Sequence, residues 1–505
     1  MKKKIVSILL LACLFVGIVS MTGCQKGSVS DFVIPEGGFN TEEQVTITFS
    51  HTMGAKLQTV LELYIEEFEK LYPNINVEHT YAGSWSEING VINTQIFGGQ
   101  QPNIAYCYPD HVALYNQAKA VVTLDSLIAS DIATKRELTD AEIKAIMADE
   151  TLSDEEKEAK IAAGTTDALG LTQAQKDDFV ESYYAEGAVF GDDLMYTMPL
   201  NKSTEVLYYD KTFFEANGLT APTTWAELWA VCAKIKELRP NDYPLGYDSE
   251  ANWFITMCEQ MNTPYTSATG ENFLFDNTEN RNFVKELREY YQLGYFTTSE
   301  LYGTYTSNLF VEQDTTKARC YMCIGSSGGA SYQMSNKDTD DGSFAFEVGV
   351  MPLPQLKADN KAAISQGPSL CILKGRETSD QQILASWLFV KFLCTNVDFQ
   401  AEFSIASGYM PVLKSVTENE GYAAWLASAN GKENLIATVV KVGIEGRDTY
   451  YTSPAFVGST AAREQVGLML KDIISLPLAN GQSVDDLIAK EFADALAECK
   501  FQSGK

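Results

Sequence analysis

Histidine is scarce in this chain. Of 505 residues only His51, His79 and His111 are histidines, and all lie upstream of residue 112. The stretch Gly325-Ser-Ser-Gly-Gly329 matches G-x-S-x-G, the nucleophile elbow of α/β-hydrolases, but that order needs a histidine after the serine. Other triad orders exist on other folds, and nothing else in the chain supports one, so a secreted hydrolase is the remote reading. A glycosidase pair of carboxylates cannot be picked out among 67 acidic residues. The shortage of histidine also weakens Cys320-x-x-Cys323 as a zinc site, since no second pair or histidine cluster accompanies it. Asn336-Lys-Asp-Thr-Asp-Asp-Gly342 places its glycine one position late for a calcium loop and reads as a turn. We therefore expect no catalytic residue, no metal and no cofactor.

Positive charge is also in short supply. Lysine and arginine number 38 against 67 acids, a formal net charge of −29. Such a surface repels phosphate backbones, so a nucleic acid is not the expected partner. Long apolar runs are missing beyond the N-terminus. Ile5 to Val19 is the longest, and it is too short to span a bilayer of roughly 30 Å as a helix.

That run follows Lys2-Lys3-Lys4 and ends in Ser20-Met-Thr-Gly-Cys24. It reads as a signal peptide over residues 1–23, and Gly23-Cys24 resembles a bacterial lipobox with Met21 in place of the usual leucine. Cys24 is the expected lipidation site. Residues 24–40, which hold Gly, Ser and Pro and little apolar pattern, suit a tether. Other cysteines, such as Cys232, Cys371 and Cys394, sit in apolar surroundings and read as buried free thiols, with a disulfide left open.

Polar–apolar alternation predicts a strand over 44–49. Leu57, Val60, Leu61, Tyr64, Ile65, Phe68 and Leu71 predict a helix stopped by Pro73. A strand over 75–77, a helix over 88–97 and a strand over 104–108 follow. That alternation predicts right-handed crossovers, a parallel sheet and a ligand site beyond the strands' carboxyl ends. Residues 130–178 are acidic and carry three capping boxes, Thr139-x-x-Glu142, Ser153-x-x-Glu156 and Thr172-x-x-Gln175. They read as an inserted helical appendage, either a solvated elaboration or a partner surface. Further strands are expected over 195–199, 204–210, 320–324, 345–351 and 370–373, and helices over 224–238, 379–393 and 461–500.

Several stretches, taken in order, resemble one family. They are Glu205-Val-Leu-Tyr-Tyr-Asp-Lys-Thr-Phe-Phe-Glu-Ala-Asn-Gly-Leu219 with Pro222-Thr-Thr-Trp-Ala-Glu-Leu228, Gln366-Gly-Pro-Ser-Leu370, and Ala385-Ser-Trp-Leu-Phe-Val-Lys-Phe-Leu393 leading to Ala406-Ser-Gly-Tyr-Met-Pro-Val412. Together they resemble the family 1 extracellular solute-binding proteins, which include maltodextrin- and glycerol-phosphate-binding proteins. The resemblance implies an α/β, two-lobed periplasmic-binding-protein-like fold of type II with a cleft between lobes that close by a hinge. It implies a monomer, not an enzyme, on the outer face of a bacterial cytoplasmic membrane, delivering a small solute to an ABC permease whose partner subunits hydrolyse ATP. By analogy the N-terminal lobe is 41–112 with 370–412, and the C-terminal lobe is 113–369 with 413–505.

A sugar needs planar aromatics for its C–H faces and fixed donors and acceptors for its hydroxyls. The expected contacts are Trp85, Tyr108, Asp110, Asn201, Trp253, Ser326, Ser327, Gly367 and Tyr409. Each has a plainer reading. Trp85 and Trp253 can be packing, Asp110 a helix cap, Asn201 a turn former, Ser326 and Ser327 a polar turn, and Gly367 and Gly408 backbone geometry. Trp225 and Trp387 read as core. Arg463 fits phosphate as a fork, as the resemblance to glycerol-phosphate binders implies, or else forms an ion pair on the surface or between lobes. A carbohydrate is the expected solute, with glycerol 3-phosphate or a glycerophosphodiester as the alternative.

Overall fold

The computed structural model describes residues 32–334, 345–431 and 434–504. The signal segment, Cys24 and the 336–342 turn lie outside the described residues. Among the described residues no helix is long and apolar enough to cross a membrane.

Val45–His51 buries alternate residues early and then its whole carboxyl end. It pairs in parallel with Ile75–Tyr81, Val45 opposite Ile75, and with Ile104–Cys107, Phe49 opposite Ile104. Ser369–Ile372 adds on antiparallel, Leu370 opposite Tyr106, and Met198–Pro199 closes that edge. The first three strands are thus parallel as expected, and the returning chain makes the sheet mixed. The helix Ala55–Leu71 turns Leu61, Tyr64, Ile65 and Phe68 inward, the 3–4 spacing of one helical face. Asp380–Thr395 packs Trp387 and Phe389 beside them.

A second five-stranded sheet runs in the order Val348–Pro352, Glu205–Asp210, Cys320–Ser326, Tyr243–Tyr247 and Phe296–Thr298. Helices Trp225–Leu238, Glu250–Met261, Ser459–Ser475 and Val484–Gln502 cover it. Their apolar faces build a separate core around Trp225, Trp253, Phe254, Val466 and Phe492. Cys320 and Cys323 are free, buried thiols on the central strand, as are Cys232, Cys371 and Cys394 elsewhere.

The lobe boundary differs from the expected one. Val122, Leu124, Leu127, Leu169, Phe179, Tyr183, Tyr196 and Met198 all join the first core, and Val122 N–H donates to the Ile372 carbonyl at 2.9 Å. The chain after residue 112 runs back along the first sheet, so the crossover falls near residue 200. Leu413, Val416 and Tyr422 also stay with the first lobe.

The appendage forms helices Asp140–Ala148, Asp154–Ala163 and Gln173–Asp178, and all three capping boxes close. It also contains a hairpin, Ala133–Arg136 against Thr165–Ala168, too short and too exposed to show in the sequence pattern. Arg136 clamps it through Glu142 and Asp167. Trp387 Nε1 and Lys391 Nζ donate to the carbonyls of Leu169, Ala168 and Gly170, fastening the appendage to the first lobe.

Candidate functional site

Three chain segments cross between the lobes and hydrogen-bond to one another. Lys202 exchanges backbone bonds with Met410, and Ser203 exchanges them with Gln366, at 2.6–2.9 Å. Gly367 has φ of +104°, and a Cβ there would lie 2.6 Å from the Asn201 carbonyl oxygen. Its role is this close approach of two strands, which only glycine permits. Lys202 forms a fully buried ion pair with Glu186, whose second oxygen accepts from the Ser365 hydroxyl. Asn201 is 2% exposed, and neither its Oδ1 nor its Nδ2 has a hydrogen-bond partner among the described residues. Such a group needs a partner from outside the fold or a bound water.

On the first-lobe side of this crossing stands an aromatic wall. Trp85 opens the helix Trp85–Gly98, after Ser84, whose N–H and hydroxyl donate to Glu87. The Trp85 ring stacks on Tyr108 at 4.4 Å and on Tyr106 at 5.0 Å, and it remains half-buried. Burial pushes the Tyr409 phenol up to about 12, and the neighbouring Trp85 indole draws it partly back. The Tyr409 ring lies flat on Gly328, where a Cβ would sit 2.8 Å from Cζ. Because Gly328 belongs to the second lobe, Tyr409 touches both. Trp85, Tyr108 and Tyr409, three of the expected contacts, are thus brought together.

Acidic and amide groups from both lobes complete the site. Asp110, on the helix Pro109–Tyr115, has Oδ2 3.5 Å from Arg463 Nε, and its carbonyl accepts from the Thr460 hydroxyl. Arg463 Nη1 donates to Asn252 Oδ1 at 2.6 Å. Asn252 Nδ2 donates to Glu205 Oε1 at 3.0 Å, and Tyr247 Oη donates to Glu205 Oε2 at 2.5 Å. Burial pushes the Glu205 carboxyl up to about 7, against the pull of its two hydrogen bonds. Of the two readings of Arg463, the geometry matches the inter-lobe ion pair.

Two expected contacts are not at the cleft. Trp253 is 0% exposed. It stacks on Tyr247 at 4.4 Å and on Trp225 at 5.8 Å within the second core. Its helix turns Asn252, one residue earlier, toward the site instead. Ser327 is fully buried, and its Oγ accepts from Thr204 N–H while its own N–H donates to the Thr204 carbonyl. It pins a crossing strand. Ser326 caps the turn by accepting from Gly328 N–H at 3.2 Å. Trp225 and Trp387 are core, as expected.

Four cleft residues escaped the sequence reading. Asp248 follows the strand Tyr243–Tyr247 directly, so the strand-end rule itself could have picked it. Its Oδ1 accepts from Thr306 N–H and Oγ1 at 2.6 and 2.7 Å, and burial raises its carboxyl. Tyr305 is 64% exposed and lies near Tyr108 and Tyr409 of the first lobe and near Asp248, whose charge, after burial, raises its phenol. It follows Phe296–Thr298, a strand of three residues that periodicity cannot resolve. Glu205 begins its strand rather than ending it. That strand runs antiparallel to Cys320–Ser326, with Glu205 opposite Ser326, so its amino end faces the cleft. Asn252 carried no distinguishing pattern.

The comparisons agree with this architecture. The sn-glycerol-3-phosphate-binding periplasmic protein UgpB of Rhizobium meliloti (strain 1021) is 28% identical over 274 residues, covering 50% of this chain and 59% of that protein, so the chain spans less than two thirds of that relative. UgpB of Escherichia coli (strain K12) is 23% identical over 400 residues, covering 76% and 78%. Among solved structures, the GacH receptor of Streptomyces glaucescens GLA.O, determined unliganded and with acarbose, superposes with a TM-score of 0.64 at 16% identity, covering 90% of this chain and 98% of that one. The family model of the bacterial extracellular solute-binding proteins matches residues 64–430, well over half of the chain. This protein, with two mixed sheets, three crossing segments and an aromatic-walled cleft, belongs to that family.

Proposed function

We propose that this chain captures a carbohydrate, mono- or oligosaccharide, by lobe closure and delivers it to the permease of an ABC importer. In this reading it is held at the outer face of the membrane by a lipid on Cys24. The observation that carries the choice of solute is the state of Arg463. Its Nε faces Asp110 and its Nη1 is bonded to Asn252. A phosphate arriving there would meet a carboxylate already in place. A neutral polyol meets no such repulsion. It finds the half-buried Trp85 ring for a C–H face, and Asp110 and Asp248 as hydroxyl acceptors. Asn201, with both polar atoms unpartnered, adds a donor and an acceptor at the cleft floor.

The second reading, glycerol 3-phosphate or a glycerophosphodiester, is supported by the names of the curated relatives. It requires Asp110 to release Arg463. The test is thermal unfolding of residues 25–505 against mono- and oligosaccharides, sn-glycerol 3-phosphate and a glycerophosphodiester. A ligand at a hundredfold excess over its Kd stabilises the folded state by about 2.7 kcal/mol. A midpoint raised by a sugar, and lost in Trp85→Ala, is the expected result. A midpoint raised by phosphorylated glycerols alone would establish the second reading. No shift with any sugar would remove the carbohydrate assignment.

A further inference from the structure

We infer that Asp110, Arg463, Asn252 and Glu205 form a latch that holds the two lobes together before solute arrives, with Asn252 and Glu205 acting as positioning residues for Arg463. Asp110 belongs to the first lobe, because its helix buries Val112 and Tyr115 in the first lobe. Arg463 belongs to the second, because its helix buries Ala462 and Val466 in the second core. Their contact joins elements that no crossing segment connects directly. The side chains are 13% and 31% exposed, so the pair is only partly screened by solvent. The Thr460 hydroxyl, donating to the Asp110 carbonyl, ties the same two helices a second time.

An arginine side chain is long and mobile, and an ion pair is useful as a latch only if the guanidinium is held in place. Asn252 does this with a defined polarity. A guanidinium has donors only, so Asn252 must offer it Oδ1. Its Nδ2 is then turned to Glu205, which accepts. The amide orientation is thus fixed from both ends. Tyr247 donates to the other Glu205 oxygen and holds that carboxyl in turn. Asn252 and Glu205 are buried, and their polar atoms are engaged with one another, with Tyr247 and with Arg463. Packing alone does not call for an acid and an amide there. A connected chain of polar groups ending at an inter-lobe ion pair does. A latch of this kind raises the fraction of molecules already closed, and the apparent affinity for any solute rises with that fraction.

The inference rests on the two lobes moving against each other, and not on which solute they hold. The experiment therefore uses no solute. Small-angle scattering of residues 25–505, near neutral pH and at low salt, reads the radius of gyration. We expect Asp110→Asn and Asn252→Leu to expand the unliganded protein relative to wild type. Glu205→Leu should expand it as well, whereas Glu205→Gln should not, since a glutamine Oε1 still accepts from Asn252. Equal radii for wild type, Asp110→Asn and Asn252→Leu would overturn the latch. So would a wild type already as expanded as Asp110→Asn. Equal expansion by Glu205→Gln and Glu205→Leu would overturn the positioning role. If Glu205→Leu does not fold cooperatively, the partly exposed Asp110→Asn change decides. The sugar panel remains a separate measurement, so failure of the latch and failure of the carbohydrate reading are told apart.

Discussion

Glu205 makes the chain less stable as pH rises toward neutrality, and Glu205→Gln should remove that dependence. The carboxyl is wholly buried, and burial lifts it from 4.5 to about 7. The hydrogen bonds from Tyr247 and Asn252 pull it down without cancelling the lift. Below about 4.5 the residue is protonated folded and unfolded alike, and the favourable contribution is whole. Between about 4.5 and 7 the folded chain keeps a proton that the unfolded chain has released, so stability falls as pH rises. Above about 7 the loss is complete. A shift of 2.5 units at 1.36 kcal/mol each gives a loss of roughly 3 kcal/mol. The proton belongs on Oε2, where the Tyr247 oxygen can accept it, which leaves Oε1 free to accept from Asn252. The inter-lobe contact therefore survives the titration while stability does not. Urea unfolding of wild type and Glu205→Gln, followed by the fluorescence of the buried Trp225–Trp253 cluster, measures the difference. The gap in favour of the glutamine variant should widen by roughly 3 kcal/mol between about pH 4.5 and 8. A gap that stays constant across that window would refute the reasoning.

The remaining predictions concern other buried groups. Burial, and then the neighbouring His79, lower His51 from 6.5 to about 4, so the unfolded chain takes up its proton first as pH falls. Stability is present above about 6.5 and is lost by roughly 3 kcal/mol toward pH 4, and the acid limb of the urea series should flatten in His51→Gln. Gly367→Ala places a Cβ 2.6–2.9 Å from the backbone of Asn201, Lys202 and Ser203 at φ of +104°, and should lower the free energy of urea unfolding by about 1–3 kcal/mol. Trp253→Ala should cost about 3–5 kcal/mol by opening a core cavity. Trp85→Ala should cost less in urea unfolding and abolish the solute-induced midpoint shift instead.

Most of the first sheet was legible because its pattern is local. The helix Ala55–Leu71 is announced by one apolar stripe and stopped at Pro73, and the three capping boxes of the appendage are each spelled in four residues. The lobe boundary was not legible. Val122 and Met198 are apolar residues like any others, and only pairing with Ile372 and Leu370 assigns them to the first sheet. The aromatic wall was half legible. Tyr108 ends a strand readable from its run of apolar residues, but nothing local says that Trp85 will stack on it. Trp253 shows the converse. A tryptophan beside a polar loop suggested a ligand face, and a helix turn of one residue sent the ring into the core and Asn252 toward the cleft.

The polar groups between the lobes divide into two sets with different tasks. At the crossing segments, Lys202 and Glu186 are buried together, and the desolvation of such a pair offsets much of its attraction. Replacing both with apolar residues need not weaken the fold, so their use is better understood as register. Lys202 can reach Glu186 only when its backbone is paired with Met410, and Glu186 meets Ser365 only when the neighbouring segment is paired with Ser203. Gly367 enforces the same register sterically. The crossing therefore behaves as a fixed axis. Across the cleft, the Asp110–Arg463 pair is partly exposed and joins side chains rather than paired backbones, so it can separate without disturbing either sheet. An axis that cannot slip and a latch that can open are what a two-lobed trap requires. The aromatic wall lies between them, with Tyr409 seated on Gly328 beside the axis and Tyr108 two residues from Asp110 at the latch.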